Sequence, residues 1–257
     1  MTPALRDRAQ RLLARWREAG GDPDRLPPSM AADLDRVFAC SEFVAEAAIR
    51  EPALLADLSQ RGGPGRPRAA AEIAQLALAL AGESDEASFM DALRRLRRRE
   101  MARIAWRDLT GAAPVEAVLR ELSDLADAAI RAALAFAAAS LEPRYGSARS
   151  PAGGPQELVV LAMGKLGGRE LNFSSDVDLV FLYPEAGETV GHRPVSNEEY
   201  FTRLGQALIR LLDARTAEGF VFRVDMRLRP LGEPGPLAMN FGAFEDYLQQ
   251  HGRDWER

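Results

Sequence analysis

The chain has 257 residues, of which 47% are hydrophobic and 28% are charged, so it can bury the core of one large domain or two small ones. Its net charge of −5 argues against a general nucleic-acid-binding protein, because such proteins need a basic surface to attract phosphates. The single cysteine, Cys40, excludes an intrachain disulfide, and one cysteine with two histidines argues against a zinc site.

The sequence predicts neither a secretory signal nor a membrane span. The first 17 residues mix Arg, Asp and Leu and lack the apolar run of a signal peptide. The most apolar stretch, 128–141, is interrupted by Arg131 and is shorter than the roughly 20 residues that cross a bilayer. Together with the cysteine count, these features predict a cytoplasmic protein that contacts no membrane.

Residues 1–142 are predicted to form a helical region, because Ala, Leu, Arg and Glu dominate them. A Gly-Gly-Pro-Gly run at 62–65 predicts a break, Pro114 suits a first helical turn, and a long Ala-rich helix is predicted to end near Ser140. Ser29 and Ser41 are predicted to be the N-caps of two short helices, and Ser84 with Asp85 and Glu86 is expected to open another helix. The basic run 94–99 favours a solvated helix face over a docking surface for an acidic partner or RNA.

Residues 143–156 are rich in Gly, Pro and Ser and are predicted to link the helical region to a second domain, 157–257. Three apolar runs of strand length follow, at 157–163, 177–183 and 219–225. A capping box at 196–199 predicts a helix that runs to about Arg215. The predicted fold class is α+β, with an N-terminal helical region followed by a small mixed-sheet domain flanked by helices. Because the chain stops within what reads as a structured segment, we expect it to be truncated at its C-terminus.

Three aspartates form the first candidate site. Asp176 and Asp178 lie two residues apart at the start of a predicted strand, and strand geometry places both side chains on one face. Asp225 ends another apolar run. Carboxylates this close repel one another, and a divalent cation such as Mg²⁺ removes that conflict. The alternative is that the Asp-x-Asp pair only begins a strand at the solvent edge of the sheet.

A glycine turn precedes the aspartates and makes the prediction of a functional site more specific than the Asp-x-Asp pair alone. The run Gly164, Lys165, Leu166, Gly167, Gly168 follows a predicted strand. Glycines let the backbone approach an anion closely, and Lys165 could add a positive charge for a phosphate. The run matches neither a Walker loop nor a dinucleotide fingerprint, and the alternative is an ordinary strand-to-helix turn.

Two arginines follow Asp225 at alternate positions, Arg227 and Arg229, so all three side chains would share a face if the strand continued. Two guanidiniums beside a cation-binding carboxylate suit a phosphate-bearing ligand. The alternative is that the arginines only balance the acidic cluster, and the sequence favours neither interpretation.

Four segments resemble a known family. Residues 162–179, with the glycine turn and the Asp-x-Asp pair, and 222–230, with the third aspartate, are similar to the pattern of DNA polymerase β-type nucleotidyltransferases. Within that superfamily the chain most resembles the bifunctional glutamine synthetase adenylyltransferase/adenylyl-removing enzymes, to which 104–109 and 251–257 are also similar. One motif set follows a start methionine, and 171–176 look like the N-terminal half. The resemblance is therefore to the adenylyl-removing half.

The resemblance implies that the chain removes AMP from an adenylylated tyrosine of glutamine synthetase by phosphorolysis, with inorganic phosphate as nucleophile and ADP as product, in control of nitrogen assimilation. Asp176, Asp178 and Asp225 would bind Mg²⁺, as two ions. The phosphate side of the site would be lined by Gly164, Lys165, Gly167, Gly168, Ser174 and Ser175, and Arg227 or Arg229 would hold the incoming phosphate. Implied partners are adenylylated glutamine synthetase and a PII signalling protein.

Two other functions stay open from the sequence. One is an adenylyl- or uridylyltransferase that acts on another protein. The other is a non-catalytic fragment that binds glutamine synthetase or a PII regulator. The complete set of three aspartates argues against the non-catalytic alternative.

Overall fold

The structure is a computed structural model and describes residues 1–60, 62–232 and 234–252. Packing divides the chain into two compact units that interleave along the sequence. The first unit comprises Met1–Ile73 with Arg95–Leu125, and the second comprises Ala74–Arg94 with Ala126–Arg257. The predicted division of the chain at 142 and 157 follows the sequence rather than the packing and stays a prediction.

The described residues form helices and strands of a mixed α and β protein. The helices are α1 (Pro3–Glu18), α2 (Pro28–Cys40), α3 (Glu42–Arg50), α4 (Leu54–Gln60), α5 (Ala70–Ala79), α6 (Glu86–Thr110), α7 (Val115–Tyr145), α8 (Gly164–Gly167), α9 (Asn197–Asp213) and α10 (Phe241–Gln250). The strands are β1 (Ala148–Arg149), β2 (Val159–Ala162), β3 (Val177–Tyr183), β4 (Glu188–Thr189), β5 (Val224–Asp225) and β6 (Ala238–Asn240). This composition confirms the predicted α+β class. In the described part of the chain, no helix combines the length and the apolar character that crossing a membrane requires.

In the first unit, α1, α2 and α3 pack against one another through their apolar faces. Trp16 is 1% exposed and meets the ring of Phe38 edge-on at 6.0 Å, while its indole N–H donates to the Pro52 carbonyl at 3.4 Å. Burying an aromatic ring together with its polar atom in this way stabilises the contact between helices.

Five charged side chains are buried together in the first unit. Arg103 donates to Glu100 at 2.8 Å and to Glu121 at 2.6 Å, Arg107 also pairs with Glu121, and Arg68 pairs with Glu100 at 2.9 Å. All five are less than 9% exposed. Buried charges persist only when they are paired, so this network ties α6, α7 and the segment before α5 together.

The serine caps were only partly predicted. Ser41 does cap α3, because its hydroxyl accepts from the Val44 N–H at 3.2 Å. Ser29 was predicted wrongly, since α2 begins at Pro28 and encloses it. The expected helix opening at Ser84, Asp85 and Glu86 is confirmed, since α6 begins at Glu86 and the Asp85 carboxylate accepts from the Ser88 N–H at 2.9 Å.

The sequence predicted that the basic run 94–99 forms a solvated helix face, but the structure buries part of this run. Arg94 is 1% exposed and donates only to backbone carbonyls among its described partners. Arg99 pairs with Glu51 at 2.6 Å and with Asp57 at 3.2 Å. Long arginine side chains can bury their stems and satisfy the guanidinium inside the protein, which helical spacing alone does not reveal.

The second unit is built on a mixed sheet with β3 at its centre. β2 runs antiparallel to β3, whereas β5 and β6 run parallel to it. β3 is buried almost throughout, because the sheet packs against α9 on one side and its strand neighbours flank it. β1 and β4 form a separate two-stranded ribbon.

The predicted strands agree with the observed strands to different degrees. β3 has the predicted bounds, and β2 lies within the predicted 157–163. Of the predicted run 219–225, only Val224 and Asp225 form a strand, because 219–222 belong to a turn and a buried loop. α7 continues to Tyr145, so the start of the predicted linker is helical and its middle forms β1.

Helix α9 was predicted closely. Its N-cap is Ser196, whose hydroxyl accepts from the Glu199 N–H at 3.2 Å, while the Glu199 carboxylate accepts from Arg203 on the next turn. Gly205 faces the sheet, and a Cβ there would lie 2.8 Å from a ring carbon of Phe181. The missing side chain therefore allows α9 to approach β3 closely.

Candidate active site

The strand register brings two of the predicted aspartates side by side. β3 and β5 are parallel neighbours with Val177 opposite Val224 and Asp178 opposite Asp225. Paired residues of adjacent strands project on the same face of a sheet. Asp176 lies immediately before β3, close enough for its negative charge to act on Asp178. The structure therefore brings the three predicted carboxylates together at the start of β3.

The charges of these carboxylates oppose one another. Partial burial raises the pKa of Asp178 above its usual range, and the negative charges of Asp225 and Asp176 raise it further. By contrast, hydrogen bonds from the Arg227 side chain lower the pKa of Asp225. The ionised form of Asp178 is thus disfavoured until a positive charge is added on this face.

Two arginines neutralise the outer carboxylates. The Arg227 Nε atom lies 2.8 Å from Asp225 Oδ2, and the Arg227 backbone N–H donates to Asp225 Oδ1 at 2.8 Å. Arg223 Nε lies 2.5 Å from Asp176 Oδ1, and Arg223 also donates to the Ser174 carbonyl at 3.1 Å. Arg223 was given no role from the sequence, although its alternate spacing with Asp225 and Arg227 is the signal that could have found it.

The two predicted arginines do not continue the strand. β5 ends at Asp225, and residues 227–230 form a turn in which the Arg229 N–H donates to the Met226 carbonyl at 3.2 Å. The shared strand face that a longer β5 would have given Asp225, Arg227 and Arg229 therefore does not form. The Asp225 carboxylate itself accepts from the Arg227 N–H and bends the chain at this point. All three nevertheless line one cavity of about 450 Å³, with Asp176, Asp213, Arg223, Val224 and Met226.

The glycine turn lies directly beside Asp178. Gly164 has φ +54°, and a Cβ there would lie 2.6 Å from Asp178 Oδ2. A Cβ on Gly167 would lie 2.5 Å from the Ala162 carbonyl oxygen, whereas one on Gly168 would meet nothing closer than 3.6 Å. Two of the three predicted glycines are thus required by close contacts, and Gly164 brings its backbone next to the carboxylate.

The predicted serines belong to a loop that Asn172 organises. The Asn172 side-chain carbonyl accepts from the Ser174 N–H at 3.2 Å and from the Ser175 hydroxyl at 2.9 Å. Lys165 Nζ lies 3.4 Å from the Ser175 hydroxyl, so the lysine reaches the same loop. Asn172 was given no role from the sequence, although an Asx turn before the Ser-Ser pair could have indicated one.

The donor set fits a hard divalent cation, although the side chains are not arranged around one. Among residues 1–60, 62–232 and 234–252, no group of three or more His, Cys, Asp or Glu side chains is poised to hold a metal ion. Asp176 and Asp225 turn toward arginines, and the negative charges of both oppose the ionisation of Asp178. Asp176 and Asp225 would have to turn away from their arginines to face a cation together with Asp178, so Mg²⁺ stays a prediction that the carboxylate chemistry of the site favours.

The sequence matches known proteins along most of its length. Residues 31–257 match the family model for glutamate-ammonia ligase adenylyltransferase. The chain is 56% identical over 225 residues to the bifunctional glutamine synthetase adenylyltransferase/adenylyl-removing enzyme of Thioalkalivibrio sulfidiphilus, covering 87% of the chain and 23% of that protein. It is 50% identical to the proteins of the same name from Nitrosococcus oceani, over 98% of the chain and 27% of that protein, and Pseudomonas aeruginosa, over 90% and 24%.

The chain therefore spans about a quarter of the length of these relatives. The family model includes every residue of the candidate site, from Gly164 to Arg229. Since it matches far more than half of the sequence, the chain belongs to the glutamate-ammonia ligase adenylyltransferase family.

Proposed function

We propose that the chain carries a nucleotidyltransferase site that removes AMP from an adenylylated tyrosine of glutamine synthetase, using inorganic phosphate and releasing ADP. The observation that carries this proposal is the parallel pairing of Asp178 with Asp225, beside Asp176 and the glycine turn. The relatives are named as enzymes that add adenylyl groups to glutamine synthetase and remove them. The resemblance of 171–176 to the removing half favours removal over addition.

In this reaction an oxygen of inorganic phosphate forms a bond to the α-phosphorus of adenylyl-tyrosine. The bond from that phosphorus to the tyrosyl oxygen breaks, its electron pair stays on the tyrosyl oxygen, and that oxygen takes up a proton from solvent. Phosphate is already an anionic nucleophile and needs little activation, so positioning and charge neutralisation supply most of the catalysis. Asp176, Asp178 and Asp225 would hold Mg²⁺, which supplies charge neutralisation at the reacting phosphoryl group when bound.

The chain's cationic side chains would orient the anions. Arg227 and Arg229 line the cavity next to Asp225 and would bind the incoming phosphate through their guanidiniums. Lys165 lies near Asp178 and the Ser175 hydroxyl, where it would contact the adenylyl phosphate. Gly164 keeps the backbone close to Asp178, so the phosphate can approach without meeting a side chain.

The partners follow from the reaction. Adenylylated glutamine synthetase would be the protein substrate, a PII signalling protein a regulatory partner, and the cytoplasm the place where they meet. Transfer to a different acceptor protein and a purely binding role are the alternatives that the following assay separates.

The test is a phosphorolysis assay with adenylylated glutamine synthetase, inorganic phosphate and Mg²⁺. We expect ADP to form, and we expect Asp176→Asn and Asp178→Asn to lower its rate at least roughly 100-fold, since each removes a ligand charge. Asp246→Asn is the matched control, because Asp246 is an exposed aspartate on α10 outside the cavity. Binding of glutamine synthetase without ADP formation would favour the non-catalytic alternative, and unchanged rates in both site variants would refute the site.

A further inference from the structure

Arg94 is a fully buried cation whose described hydrogen bonds all go to the backbone. It lies on α6 in the second unit and is 1% exposed. Its guanidinium donates to the carbonyls of Gly219 at 2.9 Å, Leu211 at 3.2 Å and Ala214, and to Met90 on its own helix at 2.9 Å. Burial lowers the pKa of Arg94, while the negative charge of Asp91 raises it, and the carbonyls satisfy the N–H donors of the buried guanidinium.

Three of these four acceptors belong to one short segment, 211–219. Leu211 and Ala214 are at the carboxyl end of α9, where helix carbonyls lack intrahelical partners and carry partial negative charge. Gly219 closes the following turn through paired hydrogen bonds with Thr216. The Thr216 hydroxyl also donates to Asp91, one turn before Arg94, at 3.3 Å. Helix α6 therefore holds this turn at several points.

The same segment leads directly into β5. The Val221 and Phe222 N–H groups donate to the Leu212 carbonyl at 2.9 and 3.2 Å, and both side chains are buried. The Arg223 carbonyl then accepts from the Val177 N–H at 2.9 Å, which begins the pairing of β5 with β3. β5 is only two residues long. A strand this short makes few ladder hydrogen bonds, so its register depends on how the chain enters it.

We propose that Arg94 is a positioning residue, which fixes the 211–219 segment and thereby keeps Asp225 opposite Asp178. The consequence for metal binding rests on the function proposed above, whereas the consequence for β5 does not. Arginine suits this position because its planar fork presents five N–H donors, enough for all four carbonyls. Lysine has three donors on a single nitrogen and cannot reach acceptors spread around such a fork.

The test compares Arg94→Met and Arg94→Lys with the wild-type chain by amide hydrogen exchange and by Mn²⁺ titration. We expect amides of 219–225 to exchange about tenfold faster in Arg94→Met, while those of β2 are unchanged. We also expect Mn²⁺ affinity to fall about tenfold, as for other residues that orient metal ligands. Arg94→Lys should give values between those of the wild type and those of Arg94→Met in both measurements. If Arg94→Met does not fold, Arg94→Lys is the variant that is compared with the wild type.

Leu55→Ala is the control for a loss of stability without a change at this segment, because Leu55 is a fully buried residue of the first unit. It should leave exchange at 219–225 and Mn²⁺ affinity at their wild-type values. The proposal is overturned if exchange at 219–225 is unchanged in the Arg94 variants. Faster exchange with wild-type Mn²⁺ affinity would also overturn it, since Arg94 would then only support the fold.

Asp178→Asn separates this proposal from the proposed function. If Asp178→Asn binds Mn²⁺ as tightly as the wild type, or the wild type does not bind Mn²⁺, the metal site is refuted. In that case the amide exchange rates of 219–225 are the only test of whether Arg94 fixes the position of β5. Faster exchange confined to that segment would support the positioning role, and unchanged or evenly distributed exchange would refute it.

Discussion

Asp178 is the aspartate of the candidate site whose ionisation the fold disfavours. It lies between Asp176 and Asp225, is partly buried, and has a raised pKa for these reasons. Arg227 and Arg223 neutralise its two neighbours, yet neither is hydrogen-bonded to Asp178 in the described contacts. An ionised Asp178 is therefore unfavourable in the metal-free protein and favourable once a cation binds.

Replacing Asp178 with Asn should therefore stabilise the metal-free chain at neutral pH. A carboxylate with a raised folded-state pKa costs stability when ionised, a cost that is full above that pKa and absent below the unfolded-state pKa. We expect a higher Tm for Asp178→Asn at pH 7, and equal Tm values as the pH falls below about 4. Added Mg²⁺ should raise the Tm of the wild type only. A Tm difference that is independent of pH would contradict this explanation.

Gly164 should tolerate no side chain. Its φ of +54° and a Cβ only 2.6 Å from Asp178 Oδ2 make Gly164→Ala strained, so we expect a loss of about 1–2 kcal/mol in the free energy of unfolding. Gly168→Ala is the matched control, because Gly168 has φ −78° and a Cβ there would make only ordinary contacts, the nearest at 3.6 Å. Its unfolding free energy should change by less than about 0.5 kcal/mol. Equal losses in urea unfolding would show that the contact with Asp178 is not responsible.

At the scale of elements, the helices and strands predicted most accurately from the sequence are those that their local residue pattern determines. β3 is a run of β-branched and aromatic residues and α9 has a strong cap and a periodic apolar face, so both were found with nearly correct bounds. β5 and β6 have two and three residues and exist because they pair with β3. Such short strands have no periodicity to recognise, and β6 was not predicted at all.

The same limit applies to the site. The aspartates and glycines were found because their types and spacing are informative, and the register of β3 with β5 then brought Asp178 and Asp225 together. The alternate spacing of Arg223 with Asp225 and Arg227 could have drawn attention to it, but its partner Asp176 lies 47 residues away in the sequence. Three of the four acceptors of Arg94 lie more than 100 residues away. Contacts at that separation depend on the tertiary fold and not on a local pattern.

Gly205 tests the packing of α9 on the sheet. Alanine is favoured over glycine in a helix by about 1 kcal/mol, but a Cβ at this position would lie 2.8 Å from the buried Phe181 ring. We expect Gly205→Ala to lower the unfolding free energy by about 1–3 kcal/mol, because overpacking outweighs propensity. Gln206→Ala, on the exposed side of α9, should be within about 0.5 kcal/mol of wild type. A more stable Gly205→Ala variant would contradict the close packing.

The buried charge network makes an equally specific prediction for the first unit. Glu121 accepts from both Arg103 and Arg107, and all three are buried. Glu121→Gln removes the described counter-charge of the buried Arg107 and leaves Arg103 with Glu100 alone, so it should lower the unfolding free energy by about 3–5 kcal/mol. Glu116→Gln, at an exposed position in the first turn of α7, should cost no more than about 0.5 kcal/mol. Similar urea midpoints for both variants would refute the role of the network.

At the scale of the whole molecule, the candidate site belongs to a single compact unit. Every site residue from Gly164 to Arg229, and the buried Arg94, lie in the second unit. The chain spans about a quarter of the length of its relatives.

The most direct measurement is a calorimetric titration of Mn²⁺ into the wild-type chain, Asp178→Asn, Asp225→Asn and the control Asp246→Asn. If Asp178 and Asp225 form the cation site that their register indicates, both site variants lose at least roughly tenfold in Mn²⁺ affinity, and the control matches the wild type. Equal affinity in all four proteins would contradict the central claim that these paired aspartates hold the catalytic metal.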